Sequence, residues 1–244
     1  PVQNIFAKGE FGSMQAQASS LVKSYRISPE LPKGFVFDEK TGEISGTPSD
    51  VTLINSYVVE AQLAYGYVSK IVEIGVGHGY KVDASSDLGD SLVGDGVCLN
   101  SAGQCSLRAA VEEANAQLAV PAVITLNNKQ ISLSNGEIEI LGQAKIYGNS
   151  SVLDAQFLSR HLSLGPGSQL ILDDIEFKNG RHSEGGASIF ARRSSLSLNK
   201  VSFANNATTT ANGAGVAIYA DYTPLHINNS SFNSNKTSLD LGSG

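Results

Sequence analysis

A single apolar pattern returns along the C-terminal half of this chain, and it limits the fold more than any other feature. Leu170, Leu172, Ile175 and Phe177 recur 26 residues later as Leu196, Leu198, Val201 and Phe203, and after a further 29 residues as Leu225, Ile227, Ser230 and Phe232. Asn follows each Phe, as Asn179, as Asn205 and Asn206, and as Asn235. Between these stretches lie Gly185-Gly186-Ala187 and Gly213-Ala214-Gly215, each leading into a strand-like run, with Ile189 and Ile218 again 29 residues apart. Short alternating strands at such a period cannot bury their apolar side chains alone and must stack on copies of themselves as a solenoid. Each coil is expected to hold two or three strands punctuated by Gly or Asn, among them Val123 to Leu126, Ile131 to Leu133, Glu137 to Ile140, Lys145 to Tyr147 and His161 to Leu164. Asp173, Asn199 and Asn228 fall at one equivalent turn, where stacked side chains can share hydrogen bonds. A Greek-key sandwich is the competing arrangement, but sandwiches seldom repeat one strand pair at near-constant period. Asp173-Asp174 has the form of a glycosidase carboxylate pair, yet Asp173 sits in the turn slot that Asn fills elsewhere, so it is read as structural.

Charged residues make up only 16% of the chain, which holds 25 Gly and no Trp, a turn-rich and β-leaning composition. The formal net charge of −6 supplies no general basic field for nucleic acid. No apolar run approaches the roughly 20 residues of a membrane-spanning helix, and Pro1 opens no charged-then-apolar signal segment. Cys98 and Cys105 stand seven residues apart in a Gly- and Asp-rich stretch, a spacing that suits a small disulfide loop formed in an oxidising compartment.

Residues 1–80 read as a separate small β domain. Phe35 to Phe37, Ser56 to Val59 and Lys70 to Ile74 alternate like strands and are divided by turn signals at Gly34, Gly42 and Gly46, a pattern that suggests a sandwich. Leu31-Pro32-Lys33-Gly34-Phe35-Val36-Phe37-Asp38, followed by Thr41-Gly42-Glu43-Ile44-Ser45-Gly46-Thr47-Pro48, resembles the signature of a bacterial Ig-like domain family found in surface and secreted proteins. The resemblance implies a spacer or adhesion module and brings no catalytic residues. Gly42 and Gly46 are expected in tight turns, with Phe37 and Ile44 in the core. Residues 75–80, Gly-Val-Gly-His-Gly-Tyr, read as a flexible linker.

Residues 81–121 form the next block, expected to hold the disulfide loop and one helix. Ser106 is placed as an N-cap, Leu107, Ala110, Val111, Ala114 and Leu118 fall on one helical face, and Pro121 stops the helix. Cys105-Ser106-Leu107-Arg108-Ala109-Ala110 resembles the CSLREA motif that precedes β-helical regions in secreted bacterial proteins, with Ala109 standing where the motif has Glu. The helix is expected to cover the exposed first coil of the solenoid. Residues 122–244 complete the chain. Their Gly-Gly-Ala and Phe-x-Asn-Asn elements resemble the repeats of polymorphic outer-membrane and autotransporter passengers. The fold class implied is all-β: an N-terminal Ig-like β-sandwich and a right-handed parallel β-helix with an N-terminal capping α-helix. The last repeat has no closing element, so further C-terminal coils of the same chain are expected to pair with it.

Candidate chemistry is sparse. Arg160/His161, Arg181/His182 and Arg192/Arg193 recur in successive coils or their connections and are the candidate ligand-binding groups, a basic flank suited to an anionic polysaccharide. Asp83, Asp87, Asp90 and Asp95 offer the oxygen ligands calcium takes, though without the spacing of a twelve-residue calcium loop. No cofactor, catalytic residue or other metal site is expected, since no nucleophile elbow, phosphate loop or zinc pattern is present. The sequence points to an exported, extracellular or cell-surface protein that is non-enzymatic and serves adhesion, ligand binding or structure. Its expected partner is a cell-surface glycan or a host receptor. The alternative is a polysaccharide lyase or glycoside hydrolase acting on an acidic polysaccharide.

Overall fold

The computed structural model describes residues 3–15, 21–209 and 215–237. Gly213 and Ala214 of the second Gly-Ala element, and the end of the last repeat beyond residue 237, lie outside the described residues. The chain divides into two compact units, Pro1–Gly79 with Ala119–Val123, and Tyr80–Leu118 with Ile124–Gly244.

The first unit is a two-sheet sandwich. In one sheet Ser24–Ser28 pairs antiparallel with Thr52–Gln62, which pairs antiparallel with Tyr67–Lys81, whose Glu73 to Gly77 stretch pairs parallel with Gln3–Ala7. The other sheet joins Gly12–Gln15, Glu43–Gly46 and Phe35–Phe37. Alternation sends Ile44, Tyr57, Val72 and Ile74 inward, and Phe6, Met14, Phe35 and Phe37 pack against them. Gly46 shows why the turn signature is built on glycine: it sits at φ +147°, and an added Cβ would stand 2.1 Å from the carbonyl oxygen of Gly34. Residues 75–80, expected as a flexible linker, instead belong to the strand Tyr67–Lys81. Their glycines provide close approach rather than flexibility, since a Cβ on Gly77 would lie 2.2 Å from the Pro121 carbonyl oxygen and Val76 is fully buried.

The second unit is a parallel β-helix of about four turns. One face stacks Gln143–Asp154, Gln169–Lys178, Ser195–Asn199 and Leu225–Asn228 in parallel. A second stacks Ile138–Ile140, Leu162–Leu164, Ile189–Arg192 and Ile218–Asp221. The repeat read in the sequence is the register of these ladders: Leu170 pairs with Leu196 and then Leu225, Phe177 with Phe203 and then Phe232. The three rings stack inside the coil at centroid separations of 5.4 and 5.0 Å. His161 closes the row edge-on to Phe177, at 5.3 Å.

Asn side chains link the coils at the corners. Asn179 donates to Asp154 and Asn205 donates to Asn179, each with its backbone in the left-handed region. Asn206 turns inward instead, donating to the Phe177 carbonyl and accepting from Gly180 N–H. Asp173, Asn199 and Asn228 are in register as expected, but the side-chain chain runs from Asn229 to Asn199 to Asp173.

The helix Leu107–Ala116 is capped by Ser106, whose hydroxyl accepts from Ala109 N–H. It buries Leu107, Ala109, Ala110, Val111 and Glu113, whereas Leu118 lies past its end and is exposed. Arg108 donates to the carbonyls of Gly136 and Glu137, and Asn115 bridges Glu139 and Leu141, so the helix is fastened along the edge of the first coil. Cys98 and Cys105 form a disulfide. No helix among the described residues is long and apolar enough to cross a membrane.

Candidate functional site

A cleft of about 380 Å³ opens on the flank of the β-helix between the turn after Asp154 and the short strand Arg181–His182. That strand is held in a parallel ladder with Ala207–Thr208 and Lys236–Thr237. The turn passes through Gln156 and Phe157 at φ 52° and 58°, a conformation uncommon for a bulky residue. Asp154 fixes it by accepting from Gln156 N–H and Asn179, and Phe157 N–H donates to the Asn179 carbonyl. Burial works to raise the Asp154 carboxyl, but hydrogen bonds from Asn179 and Gln156 and the charge of Lys178 outweigh it and hold the group below its ordinary value. Phe157 and Leu158 are thereby left on the cleft wall with 38% and 64% of their surfaces exposed.

Arg160 forms the inner wall and is almost fully buried. Its guanidinium donates to the carbonyls of Gly186 and Gly185 at 2.6 and 3.1 Å, to Glu137 Oε2 at 2.8 Å and to His182 Nδ1 at 2.9 Å, and lies over the Phe190 ring. These bonds occupy the fork, so Arg160 is a framework group rather than a free cation. His182 Nδ1 accepts from both Arg160 and Glu184 N–H, and neither of those can accept a proton bond in return. The ring is therefore the tautomer with hydrogen on Nε2. Burial and then the Arg160 charge lower its pKa, against the opposing charges of Glu137 and Glu184, which favours the neutral form. Arg181 also lines the cleft, half-buried, and no side chain partners its guanidinium among the described residues.

Three of the six candidate residues thus meet in one place. His161 does not join them: it is fully buried against Phe177, and its Nε2 donates to the Leu153 and Lys178 carbonyls. Burial pushes its pKa down to about 4, so it is neutral and out of reach of a surface ligand. Arg192 pairs with Asp221, and Arg193 is an exposed turn residue at φ 52°; neither lines the cleft. Phe157 and Leu158 had no place in the sequence reading, and Glu137 entered it only as the start of a strand; no motif or spacing marked any of the three as a cleft residue. Asp173 is taken up by Asn199, and Asp174 accepts from Ser150.

The acidic loop divides. Asp90 and Asp95 come together with Glu113 of the helix, carboxylate oxygens all within 4.8 Å of one another. Backbone N–H groups of Gly94 and Gly96 point at Glu113, and those of Leu92 and Leu99 at Asp90. Carboxylates this close are the oxygen donors a hard cation takes. Asp87 is instead bound to Arg108, Ser134 and Asn135, and Asp83 caps the Cys105 N–H, so neither is part of the cluster.

Fold and site together define an Ig-like module in one chain with a β-solenoid. Residues 7–77 match the family model described as "Putative Ig domain", and this segment is an Ig-like domain. No curated protein and no solved structure matches the chain.

Proposed function

We propose that this chain belongs to an exported, cell-surface or secreted protein that binds a surface ligand without chemically altering it. In this reading residues 1–80 are an Ig-like spacer, 81–121 the disulfide loop and capping helix, and 122–244 the β-helix that presents the binding groups. The observation that carries it is the cleft at Arg181 and His182, a guanidinium with no side-chain partner among the described residues beside a ring whose remaining nitrogen is a donor. Such a site offers hydrogen bonds to a ligand, but a lyase needs a base, and His182 Nε2 already carries its proton while Glu137 is held by Arg160. The disulfide supports an oxidising, extracellular setting. A cell-surface glycan or host receptor is the partner this arrangement favours, with calcium at Asp90, Asp95 and Glu113 as a structural ion.

A glycan and host-cell binding screen tests the reading, run beside a variant whose residues 178–185 are replaced by a Gly/Ser loop of equal length. Binding that disappears in the variant is expected. Unsaturated or shortened products from an acidic polysaccharide would instead establish an enzyme.

A further inference from the structure

Within the binding role proposed above, we infer that the cleft is a subsite for a single uronic-acid unit of an acidic polysaccharide. Its volume of about 380 Å³ lies at the small end of ligand sites, room for a sugar unit and its linkages rather than for a folded partner. Its polar lining comprises the Arg181 guanidinium, the His182 ring with its Nε2–H, the hydroxyl residues Ser159, Ser183 and Thr209, the buried Arg160, and Glu137, whose carboxylate is tied to Arg160. A guanidinium presents two parallel N–H groups that match the two oxygens of a carboxylate, and here no protein carboxylate competes for them among the described residues. Arg160 brings no second free cation, because Glu137 neutralises it. The site therefore suits one negative charge rather than the dense charge of a polyphosphate.

The same cleft is lined by Phe157 and Leu158, exposed apolar groups on a turn whose backbone takes the left-handed conformation at a bulky residue. Strain of that kind persists only where the surroundings enforce it, and here Asp154 and Asn179 do so. A pyranose ring has the matching shape, with an apolar C–H face for the aromatic and aliphatic wall and hydroxyls and a carboxylate on its rim. The tautomer of His182 adds an Nε2–H donor suited to a ring or hydroxyl oxygen.

Calorimetric titration of the full chain with trigalacturonate, with the uncharged galactose trisaccharide and with a sulfated galactose oligomer tests this. Binding of the uronate is expected to weaken at least tenfold in Arg181→Gln and severalfold in Phe157→Ala, while Lys200→Gln, an exposed cation away from the cleft, leaves it unchanged. Circular dichroism melts matching wild type show that the variants are folded; should Arg181→Gln melt early, Arg181→Lys, which keeps the charge but not the fork, is expected to show an intermediate loss. Equal affinity for the sulfated or uncharged oligomer, or uronate binding indifferent to Arg181, would overturn the subsite while leaving the surface-binding role standing. Absence of any binding in the wider glycan and cell screen would remove both.

Discussion

At the scale of single residues, position relative to the coil wall decides what a polar side chain does. His161 and His182 each follow an arginine in the sequence, yet one is enclosed and the other lines a cleft. Burial lowers the His161 pKa to about 4 from 6.5, outweighing the backbone carbonyls of Lys178, Leu153 and Ala187 and the Asp154 charge, all of which favour protonation. The unfolded chain therefore takes up this proton first as the pH falls. Its contribution to stability is intact above pH 6.5 and drains away between 6.5 and about 4, amounting to roughly 3 kcal/mol at the acid end. Urea unfolding midpoints between pH 7.5 and 4.5 are expected to drop more steeply for wild type than for His161→Gln. Asp154, whose pKa is lowered, loses its own contribution as acid is added in both proteins, so the difference between the two slopes isolates His161. Parallel slopes would show that the ring is hydrated and titrates normally.

At the scale of elements, the capping helix is held to the first coil more by polar groups than its short apolar stripe suggests. Arg108 meets Asp87 at 2.9 Å, with both side chains largely buried, and Asp87 also accepts from the backbone of Ser134 and Asn135. Removing one member of such a buried pair strands the other, so Asp87→Ala is expected to cost about 3–5 kcal/mol in thermal or urea unfolding. Ser106→Ala removes an N-cap bond and is expected to cost about 1 kcal/mol. The reverse order would place the helix's attachment in its cap. The helix, its start and its apolar face could be read from residues 106–114, because capping and periodicity are local. Leu118 fell outside because the helix stops at Ala116. Glu113 was missed as a partner of Asp90 and Asp95 because the stripe read from the sequence left it out, and its burial beside Ala109 shows only in the folded helix. Only folding brings the helix beside that loop.

At the scale of the whole molecule, the repeat and the fold are nearly the same information, since equivalent leucines and phenylalanines in the sequence are the partners in the ladders. The Ig-like unit was equally readable, its turn glycines being required by contacts as close as that of Gly46 to Gly34. The cleft was only half readable. Arg160, Arg181 and His182 were marked by recurrence, but the bonds that disable Arg160 as a free cation run to Gly185 and Gly186 in the next coil, and no spacing rule anticipates them. The same axial repetition makes stability a sum over neighbouring coils. Phe203 is fully buried and stacks on rings to both sides, whereas Phe232 stacks on Phe203 and is 47% exposed. Phe203→Ala is therefore expected to cost about 3–5 kcal/mol, the range for a deeply enclosed ring, and Phe232→Ala clearly less. Because each coil rests on its neighbour, Phe203→Ala should also expose residues 225–237 to hydrogen exchange before residues 143–178. Uniform exposure of all coils in that variant would mean that the solenoid melts as one body, with no weaker interface for the substitution to open.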